Sequence, residues 1–349
     1  MSNRVFTREE LDAALASMGV EDQTSVDRYG SGHINDTFKV ETGRGERFVL
    51  QRVNTGIFKD LEMLKRTVLR VTGHLRAKGV ATLEVAGYAN PWRLYRFLEG
   101  HTSRDVVSEP AQAYDVARAF AKFQNDLADL PAPRLDDIIP RFHDTPDRLA
   151  QLDAAIAVNF KGRLANVADE LRFVDRWRPL AGRIVDLMAK GEIPERVTHN
   201  DTKINNVLVA ADGAAVVIDL DTTMPGSALY DFGDMVRTST AAAAEDEADL
   251  SKVCSKAGYF AELARGYLEG ARFLNDAEKE NLVFAGRLST FEVGIRFLAD
   301  YLAGDTYFHT AYEEHNLVRA RNQFKMVASM EAQAEEYEKI VRECLIRGS

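Results

Sequence analysis

The sequence predicts an α+β fold in two parts, a small antiparallel sheet followed by a larger helical region. Short segments with strand-like alternation, separated by glycine-rich turns, fill most of residues 1–99. Long segments with helical spacing of apolar residues dominate the rest of the chain. The change falls at Glu99-Gly100, so we expect one lobe over residues 1–99 and a second over residues 100–349.

The first lobe is expected to begin with an amphipathic helix and to continue as a sheet with one long helix. Thr7 is a suitable N-cap, because Glu9 and Glu10 follow it and an apolar stripe begins at Leu11. The predicted strands cover residues 25–29, 37–42, 47–53, 82–88 and 92–97, and the long helix covers residues 60–77.

The second lobe is expected to be helical apart from one hairpin. Helical patterns cover residues 111–127, 165–190, 245–274, 278–303 and 317–347. The short alanine run at residues 241–244 also favours a helix.

Composition and charge restrict the class of protein. At 349 residues and 46% hydrophobic, the chain can bury a full core in two lobes. The net charge of −10 argues against nucleic acid or an anionic membrane as the main partner. Two cysteines fit a reducing compartment, and the chain shows neither a signal-peptide pattern nor a long apolar run. We therefore expect a cytoplasmic protein, and the oligomeric state stays open.

The hairpin pattern around Asp212-Gly213 suggests a metal site. Apolar residues flank this dipeptide on both sides, as in a two-residue turn. Such a turn pairs position 211 with position 214 and sets Asn206 opposite Asp219. An amide oxygen beside a carboxylate suits Mg²⁺.

The residues before this hairpin match the catalytic loop of phosphoryl-transfer enzymes, H-x-D-x-x-x-x-N, at His199, Asp201 and Asn206. Asp201 would accept the proton of an attacking hydroxyl, and Asn206 with Asp219 would hold the metal that bridges the phosphates of ATP. Lys203 could neutralise charge on the transferred group, while His199 is expected to orient the loop. The alternative is an ordinary surface hairpin.

A second motif, Asp231-Phe232-Gly233, resembles the metal-binding D-F-G of protein kinases in letters only. It follows a proline-glycine turn, whereas Asp219 ends a strand of the hairpin. We therefore assign the metal to Asp219 and expect Asp231 to be a buried support for the catalytic loop. If the chain stays extended, Asp221 shares a face with Asp219 and could reach metal or substrate; a structural hydrogen bond is the alternative.

The glycine-rich segment between the first two predicted strands is a candidate phosphate-covering loop. Gly30, Ser31 and Gly32 would let backbone N–H groups approach phosphate, although a plain turn has the same signature. The polar residues that follow are candidates for touching substrate or for stabilising the turn: His33, Asn35 and Asp36.

The strand lysine that contacts phosphate in protein kinases is absent. The corresponding strand contains Gln51 and Arg52, which must face opposite sides of the sheet. We favour Arg52 for the nucleotide contact because of its charge, with Glu62 as its helix partner. An Arg52 solvated on the outer face, which leaves Gln51 facing the nucleotide, is the alternative.

Several segments together resemble a known family. The catalytic loop with Ile218-Asp-Leu-Asp221 resembles the Brenner motif of the aminoglycoside phosphotransferase and choline kinase superfamily. More narrowly, the chain is similar to bacterial N-acetylhexosamine 1-kinases in five further segments: 30–37, 48–54, 219–222, 230–234 and 296–301. The resemblance implies a protein-kinase-like bilobal fold, with Asp201 as the base and Asn206 and Asp219 as metal ligands. It also implies transfer of the γ-phosphate of ATP to the anomeric hydroxyl of N-acetylglucosamine or N-acetylgalactosamine.

Candidates for the sugar site lie on one predicted helix. Glu292, Arg296 and Asp300 are spaced i, i+4, i+8 and share a helix face, where they could bind sugar hydroxyls or form an ion-pair ladder. The hypothesis is an ATP- and Mg²⁺-dependent kinase with a sugar acceptor. The alternatives are a kinase for another hydroxyl (aminoglycoside, choline, homoserine or another sugar) and a catalytically inactive nucleotide-binding protein.

Overall fold

The chain forms an α+β fold, described by a computed structural model over residues 5–30, 32 and 34–348. Its helices are α1 (Arg8–Ala16), α2 (Leu61–Ala77), α3 (Pro110–Leu127), α4 (Thr145–Val158), α5 (Ala168–Trp177), α6 (Arg183–Ala189), α7 (Ala228–Ser239), α8 (Ala257–Gly270), α9 (Asp276–Glu280), α10 (Leu282–Ala303), α11 (His315–Ala332) and α12 (Ala334–Gly348). Its strands are β1 (Gln23–Arg28), β2 (Asp36–Thr42), β3 (Arg47–Arg52), β4 (Val85–Ala89), β5 (Trp92–Arg96), β6 (His101–Thr102), β7 (Arg196–Thr198), β8 (Val207–Ala210), β9 (Ala215–Val217) and β10 (Met224–Gly226).

These elements group into two compact units, each built from separate stretches of the chain. The first unit contains Met1–Asp105, Leu130–Ile139 and Val207–Thr223. The second unit contains Val106–Asp129, Pro140–Asn206 and Met224–Ser349. This division differs from the expected contiguous boundary at residues 99 and 100, because the hairpin β8–β9 pairs with β6 and so joins the first unit.

The first unit contains a five-stranded antiparallel sheet in the order β1-β2-β3-β5-β4. One face of the sheet packs on α1, where Leu11 and Leu15 meet Phe38, Leu50 and Leu94 in the core. Alternation along each strand sends the intervening side chains to the opposite face. The predicted strands and the long helix α2 are confirmed, with shifts of a few residues at their ends.

The predicted start of α1 at Thr7 is confirmed. The Thr7 hydroxyl accepts a hydrogen bond from the N–H of Glu10, and the Glu10 carboxylate accepts one from the N–H of Thr7. This reciprocal capping box satisfies two backbone donors that the first helical turn would otherwise leave unpaired.

The hairpin β8–β9 forms, but with a register one residue away from the predicted one. Val207 pairs with Val217, and the N–H of Ala210 donates to the carbonyl of Ala214 at 2.8 Å. The loop therefore has three residues, with Gly213 in the left-handed region at φ 84°. The predicted two-residue turn is wrong, and with it the geometric reason for setting Asn206 opposite Asp219.

The second unit is helical, as predicted, although three long helical patterns are interrupted. Pro179 lies in the break between α5 and α6, where a continuous helix cannot keep its hydrogen bonds. Residues 317–347 divide between α11 and α12 near Gln333.

The stretch 241–256, which includes the alanine run, is irregular rather than helical. The Asn322 amide donates to the carbonyls of Ala244 and Glu247, and Arg237 pairs with Glu245 at 2.7 Å. These tertiary contacts override a weak helix propensity.

Among residues 5–30, 32 and 34–348, no helix is both long and apolar enough to cross a membrane.

Candidate active site

The catalytic loop follows β7 in the second unit, and a buried aspartate on α7 fixes its backbone. Asp231 is fully buried, and its two carboxylate oxygens accept hydrogen bonds from the N–H groups of His199 at 2.8 Å and Asn200 at 2.7 Å. The amide of Gln124 adds a third bond at 2.6 Å. Burial raises the pKa of Asp231, and these backbone donors oppose the rise. The prediction that Asp231 supports the loop is confirmed.

A second acidic residue of α7 holds the next part of the loop. The N–H of Thr202 donates to Asp234 at 2.9 Å. Asp234 in turn forms a buried ion pair with Arg237 at 2.8 Å, which fixes its carboxylate. Gly233, between the two aspartates, lies against α10: a Cβ atom at this position would approach the Ala285 carbonyl to 2.5 Å. The motif Asp231-Phe232-Gly233 is therefore a support and packing element.

Asp201, Lys203 and Asn206 come together within the loop. The Lys203 ammonium lies 2.7 Å from one carboxylate oxygen of Asp201. The Asn206 amide nitrogen donates to the other oxygen at 3.0 Å and to the Asp201 carbonyl at 2.8 Å. Burial acts to raise the pKa of Asp201, but Lys203, His199 and Asn206 outweigh it and hold the pKa below its usual value. The carboxylate is therefore ionised at neutral pH and can accept a proton.

His199 is buried behind the loop. Its ring packs edge-on against Phe120 and Phe123, with ring centroids 5.1 and 5.9 Å away. Its Nδ1 accepts a hydrogen bond from the N–H of Asp201 at 3.3 Å. A fully buried ring in this setting suits an orienting role rather than proton transfer to a substrate.

In the first unit, the glycine-rich segment leads into a buried polar network. Gly30 has φ 78°, and the segment joins β1 to β2 as the sequence predicts. Asn35 donates to the Asp221 carboxylate at 2.7 Å and accepts from the N–H of Asn54 at 3.0 Å. The other predicted members of this segment, Ser31 and His33, lie outside the described residues.

The centre of this network is Arg93 on β5, which the sequence interpretation did not include. Its guanidinium forms a bidentate pair with Asp221, and both side chains are almost fully buried. The same guanidinium donates to the Gln51 side-chain oxygen at 3.0 and 2.8 Å. The charge of Asp221 raises the pKa of Arg93 against the opposing effect of burial. The signal in the sequence was a charged residue within the apolar strand Trp92-Arg93-Leu94-Tyr95. The partners of Arg93 could not be found in this way, because they depend on the strand register that places Gln51 opposite Arg93.

The structure shows which face of the sheet Arg52 occupies. Arg52 lies on the α1 face of the sheet, where it lines an open cavity with Glu10 and Ser17, and Gln51 occupies the opposite face. Among the described residues, Glu62 contacts Asn90 at 2.7 Å and Lys65 at 3.8 Å rather than Arg52. The expected Arg52–Glu62 pair is therefore not formed among the described residues, and the nucleotide contact of Arg52 stays a prediction.

Two other predicted residues of the first unit have structural partners. Asp36 is buried on the same face as Arg52 and pairs with Arg28 at 3.3 Å. Asp221 does not share an extended strand with Asp219, because Asp219 takes a left-handed conformation and a turn of 3₁₀-helix follows at residues 220–222. Arg93 and Asn35 donate hydrogen bonds to the two carboxylate oxygens of Asp221. Asp221 therefore has the structural hydrogen-bond role that the sequence analysis gave as the alternative.

The three candidates on α10 form separate contacts rather than a ladder. Asp300 accepts hydrogen bonds from three successive N–H groups at residues 306–308, at 2.8–2.9 Å, and thereby shapes the loop after α10. Arg296 lies between the rings of Phe142 and Phe308, at 5.4 and 5.6 Å from their centroids. Glu292 contacts His143 and Thr145.

The fold and the catalytic loop define a phosphotransferase with a protein-kinase-like architecture. The sequence profile of the phosphotransferase enzyme family (APH) matches residues 25–275, and the chain belongs to this family.

Solved structures share the fold at low sequence identity. A choline/ethanolamine kinase family protein from Mesorhizobium loti is 17% identical, with a TM-score of 0.61, and the match covers 96% of this chain and 98% of that one. An aminoglycoside phosphotransferase from Alicyclobacillus acidocaldarius is 14% identical, with a TM-score of 0.56 and coverage of 96% and 98%. The amicoumacin kinase hAmiN, in a complex with AMP-PNP, Ca²⁺ and Ami, is 13% identical, with a TM-score of 0.60 and coverage of 94% of each chain.

The buried pair of Arg93 and Asp221 generates a stability prediction. Arg93→Met should lower the free energy of unfolding by about 3–5 kcal/mol, because it leaves a buried carboxylate without its cation. In the double variant Arg93→Met/Asp221→Asn, the two losses should be non-additive by at least about 1 kcal/mol. Urea denaturation measures all three variants. Arg44→Met, at an exposed pair with Asp22, is the control and should stay close to wild type. Additive losses at Arg93 and Asp221 would show that the two side chains are not coupled.

Proposed function

We propose that this protein transfers the γ-phosphoryl group of ATP to a hydroxyl of a small molecule, with Asp201 as the general base. The observation that carries the proposal is the position of the Asp201 carboxylate, held between Lys203 and Asn206 on a loop whose backbone Asp231 fixes. A base fixed in this way can hold a hydroxyl in line with a phosphoryl group, and positioning supplies much of the rate in such reactions.

In the reaction, the acceptor oxygen forms a bond to the γ-phosphorus while the bond from that phosphorus to the β–γ bridging oxygen breaks. ADP leaves, and the hydroxyl proton passes to Asp201. Because Lys203 keeps the pKa of Asp201 low, we infer that the carboxylate chiefly orients the hydroxyl and takes its proton late in the transfer.

The donor chemistry of the loop fits a divalent cation. Asn206 uses its amide nitrogen for Asp201, which leaves the amide oxygen as its metal-binding atom. We propose that this oxygen and the Asp219 carboxylate hold Mg²⁺, which would neutralise charge on the nucleotide phosphates. The hairpin register no longer supports this assignment, so it rests on the motif and on the nucleotide and Ca²⁺ in the related amicoumacin kinase.

The glycine-rich segment is the proposed phosphate contact. Gly30 takes a left-handed conformation at φ 78°, and a glycine lets a ligand phosphate approach the backbone closely. Asn35, later in the same segment, donates a hydrogen bond to the Asp221 carboxylate. On β3, Gln51 stands in place of the strand lysine of protein kinases, and Arg93 on the same face is bound to Asp221 and Gln51.

For the acceptor, we propose the anomeric hydroxyl of an N-acetylhexosamine. The support is the resemblance of residues 30–37 and 296–301 to N-acetylhexosamine 1-kinases. Arg296, half-buried between two aromatic rings, is the member of the α10 group whose guanidinium can bind sugar oxygens. Asp300 and Glu292 are committed to other partners in the same unit.

Replacing Asp201 tests the reaction. Asp201→Asn should lower kcat by about 10²–10⁴-fold, because the amide cannot accept the proton, and should leave binding of MgATP nearly unchanged. Phosphorus-31 NMR with MgATP and one acceptor at a time gives the rate and the product. The acceptors are N-acetylglucosamine, N-acetylgalactosamine, glucose, galactose, choline, homoserine and an aminoglycoside.

A sugar 1-phosphate that forms only with the N-acetylhexosamines would support the acceptor assignment. Formation of choline phosphate or an aminoglycoside phosphate would show that the acceptor is another small molecule. Unimpaired turnover in Asp201→Asn would exclude Asp201 as the base.

The metal assignment has its own test. Asp219→Asn should weaken nucleotide binding in the presence of Mg²⁺ and leave metal-free nucleotide binding nearly unchanged, because only the cation contact is lost. Isothermal titration calorimetry over a range of Mg²⁺ concentrations measures both. Asp212→Asn, in the exposed loop of the same hairpin, is the control. The same Mg²⁺ dependence in Asp219→Asn and wild type would remove Asp219 from the metal site.

A further inference from the structure

A partly buried histidine next to the catalytic loop has no role in the reaction described above. His143 lies just before α4, with its ring stacked on Tyr230 at a centroid distance of 4.9 Å and an interplanar angle of 13°. Its Nδ1 is 2.8 Å from a carboxylate oxygen of Glu292 on α10. Its Nε2 is 3.3 Å from the backbone carbonyl oxygen of Asn200.

Both carboxylate oxygens of Glu292 have hydrogen-bond partners in this cluster. The side chain is fully buried, and its second oxygen accepts a hydrogen bond from the Thr145 hydroxyl at 2.6 Å. Burial acts to raise the pKa of Glu292, but His143 and Thr145 outweigh it and hold the pKa below its usual value. An ionised carboxylate in such a place requires a donor on each oxygen, and the two neighbours supply them.

The carbonyl that His143 contacts belongs to the peptide group immediately before Asp201. The N–H of that peptide donates to Nδ1 of His199, and its C=O faces His143. Asn200 takes a left-handed conformation at φ 65°, which asparagine adopts more readily than most other non-glycine residues. Two histidines therefore fix opposite ends of one peptide plane, and that plane sets the direction of the Asp201 side chain.

Both neighbours of the His143 ring are hydrogen-bond acceptors. A carboxylate and a backbone carbonyl have no hydrogen to donate, so the ring bonds both only when each of its nitrogens carries a proton. The charged and titratable groups around it are Glu292 and Arg296 from α10, Tyr230 and Asp231 from α7, and the adjacent Asp144. The negative charges of Glu292 and Asp231 face this ring.

We propose that His143 and Glu292 are a positioning pair for the proposed phosphoryl transfer: the charged ring, held by Glu292, orients the Asn200–Asp201 peptide and thereby the base. This inference rests on the proposed function. It adds two residues from distant parts of the chain to the catalytic loop, and both act through the backbone of that loop.

Two substitutions of His143 separate positioning from packing. Asparagine places its amide nitrogen near the position of Nδ1, so His143→Asn keeps a donor for Glu292 and loses the bond to Asn200. Glutamine reaches the position of Nε2, so His143→Gln keeps a donor for Asn200. We expect His143→Asn to lower kcat on the order of a hundredfold with little change in KM for ATP, and His143→Gln to keep most of the activity.

His315→Asn is the matched control. His315 is a buried histidine of the second unit, with Asp246 at 3.3 Å from its Nε2 and the N–H of Ala311 donating to its Nδ1. This variant should lose stability without a change in kcat. Equal loss of kcat in His143→Asn and His143→Gln, in proportion to their loss of stability, would overturn the positioning role.

A second measurement does not depend on activity. Nitrogen-15 NMR of the His143 side chain at neutral pH should show both ring nitrogens protonated in the wild type. In Glu292→Gln, which keeps the shape and removes the charge, one nitrogen should become unprotonated. An unprotonated nitrogen in the wild type would overturn the pair. If the wild type phosphorylates no acceptor, the proposed function fails, and the NMR result still decides the state of the ring.

Discussion

The rest of the site depends on one interaction: the carboxylate of Asp231 accepts hydrogen bonds from two successive N–H groups of the catalytic loop. They fix His199 and Asn200, and through them the residue that follows, Asp201. Because Asp231 is fully buried on α7, the loop takes its position from the core of the second unit rather than from its own sequence. The Asp234–Thr202 bond and the close packing of Gly233 on α10 extend the same support.

In the first unit, a buried guanidinium serves a comparable purpose. Arg93 ties Gln51 of β3 to Asp221, and Asp221 ties Asn35 after the glycine-rich segment. A buried ion pair contributes little net stability by itself, but its loss leaves a buried charge and is costly. We infer that this network fixes the start of β2 and the turn after β9 relative to the sheet. Arg93 is therefore structural, and we propose that the charge of the nucleotide is met by the backbone of the glycine-rich segment and by Mg²⁺.

The sequence predicts most of this architecture because alternation and helical spacing are local signals. The strands of the sheet, the helix α2 and the role of Asp231 could all be derived from neighbouring residues. The register of the β8–β9 hairpin could not, since Asp212-Gly213 fits a two-residue and a three-residue loop equally well. The faces of Gln51 and Arg52 could not be derived for a similar reason: alternation shows that the two residues face apart, and only the packing of α1 shows that Arg52 lies on the α1 side.

The pairs of Arg93 with Asp221 and of His143 with Glu292 join residues more than a hundred positions apart, so no local pattern indicates them. The central claim is transfer of the γ-phosphoryl group to a sugar hydroxyl, and its most direct test is mass spectrometry with ATP whose γ-phosphoryl oxygens carry oxygen-18. We predict that the label appears in an N-acetylhexosamine phosphate, whose linking oxygen comes unlabelled from the sugar. Label found only in inorganic phosphate or in unreacted ATP, with every acceptor present in turn, would contradict this account.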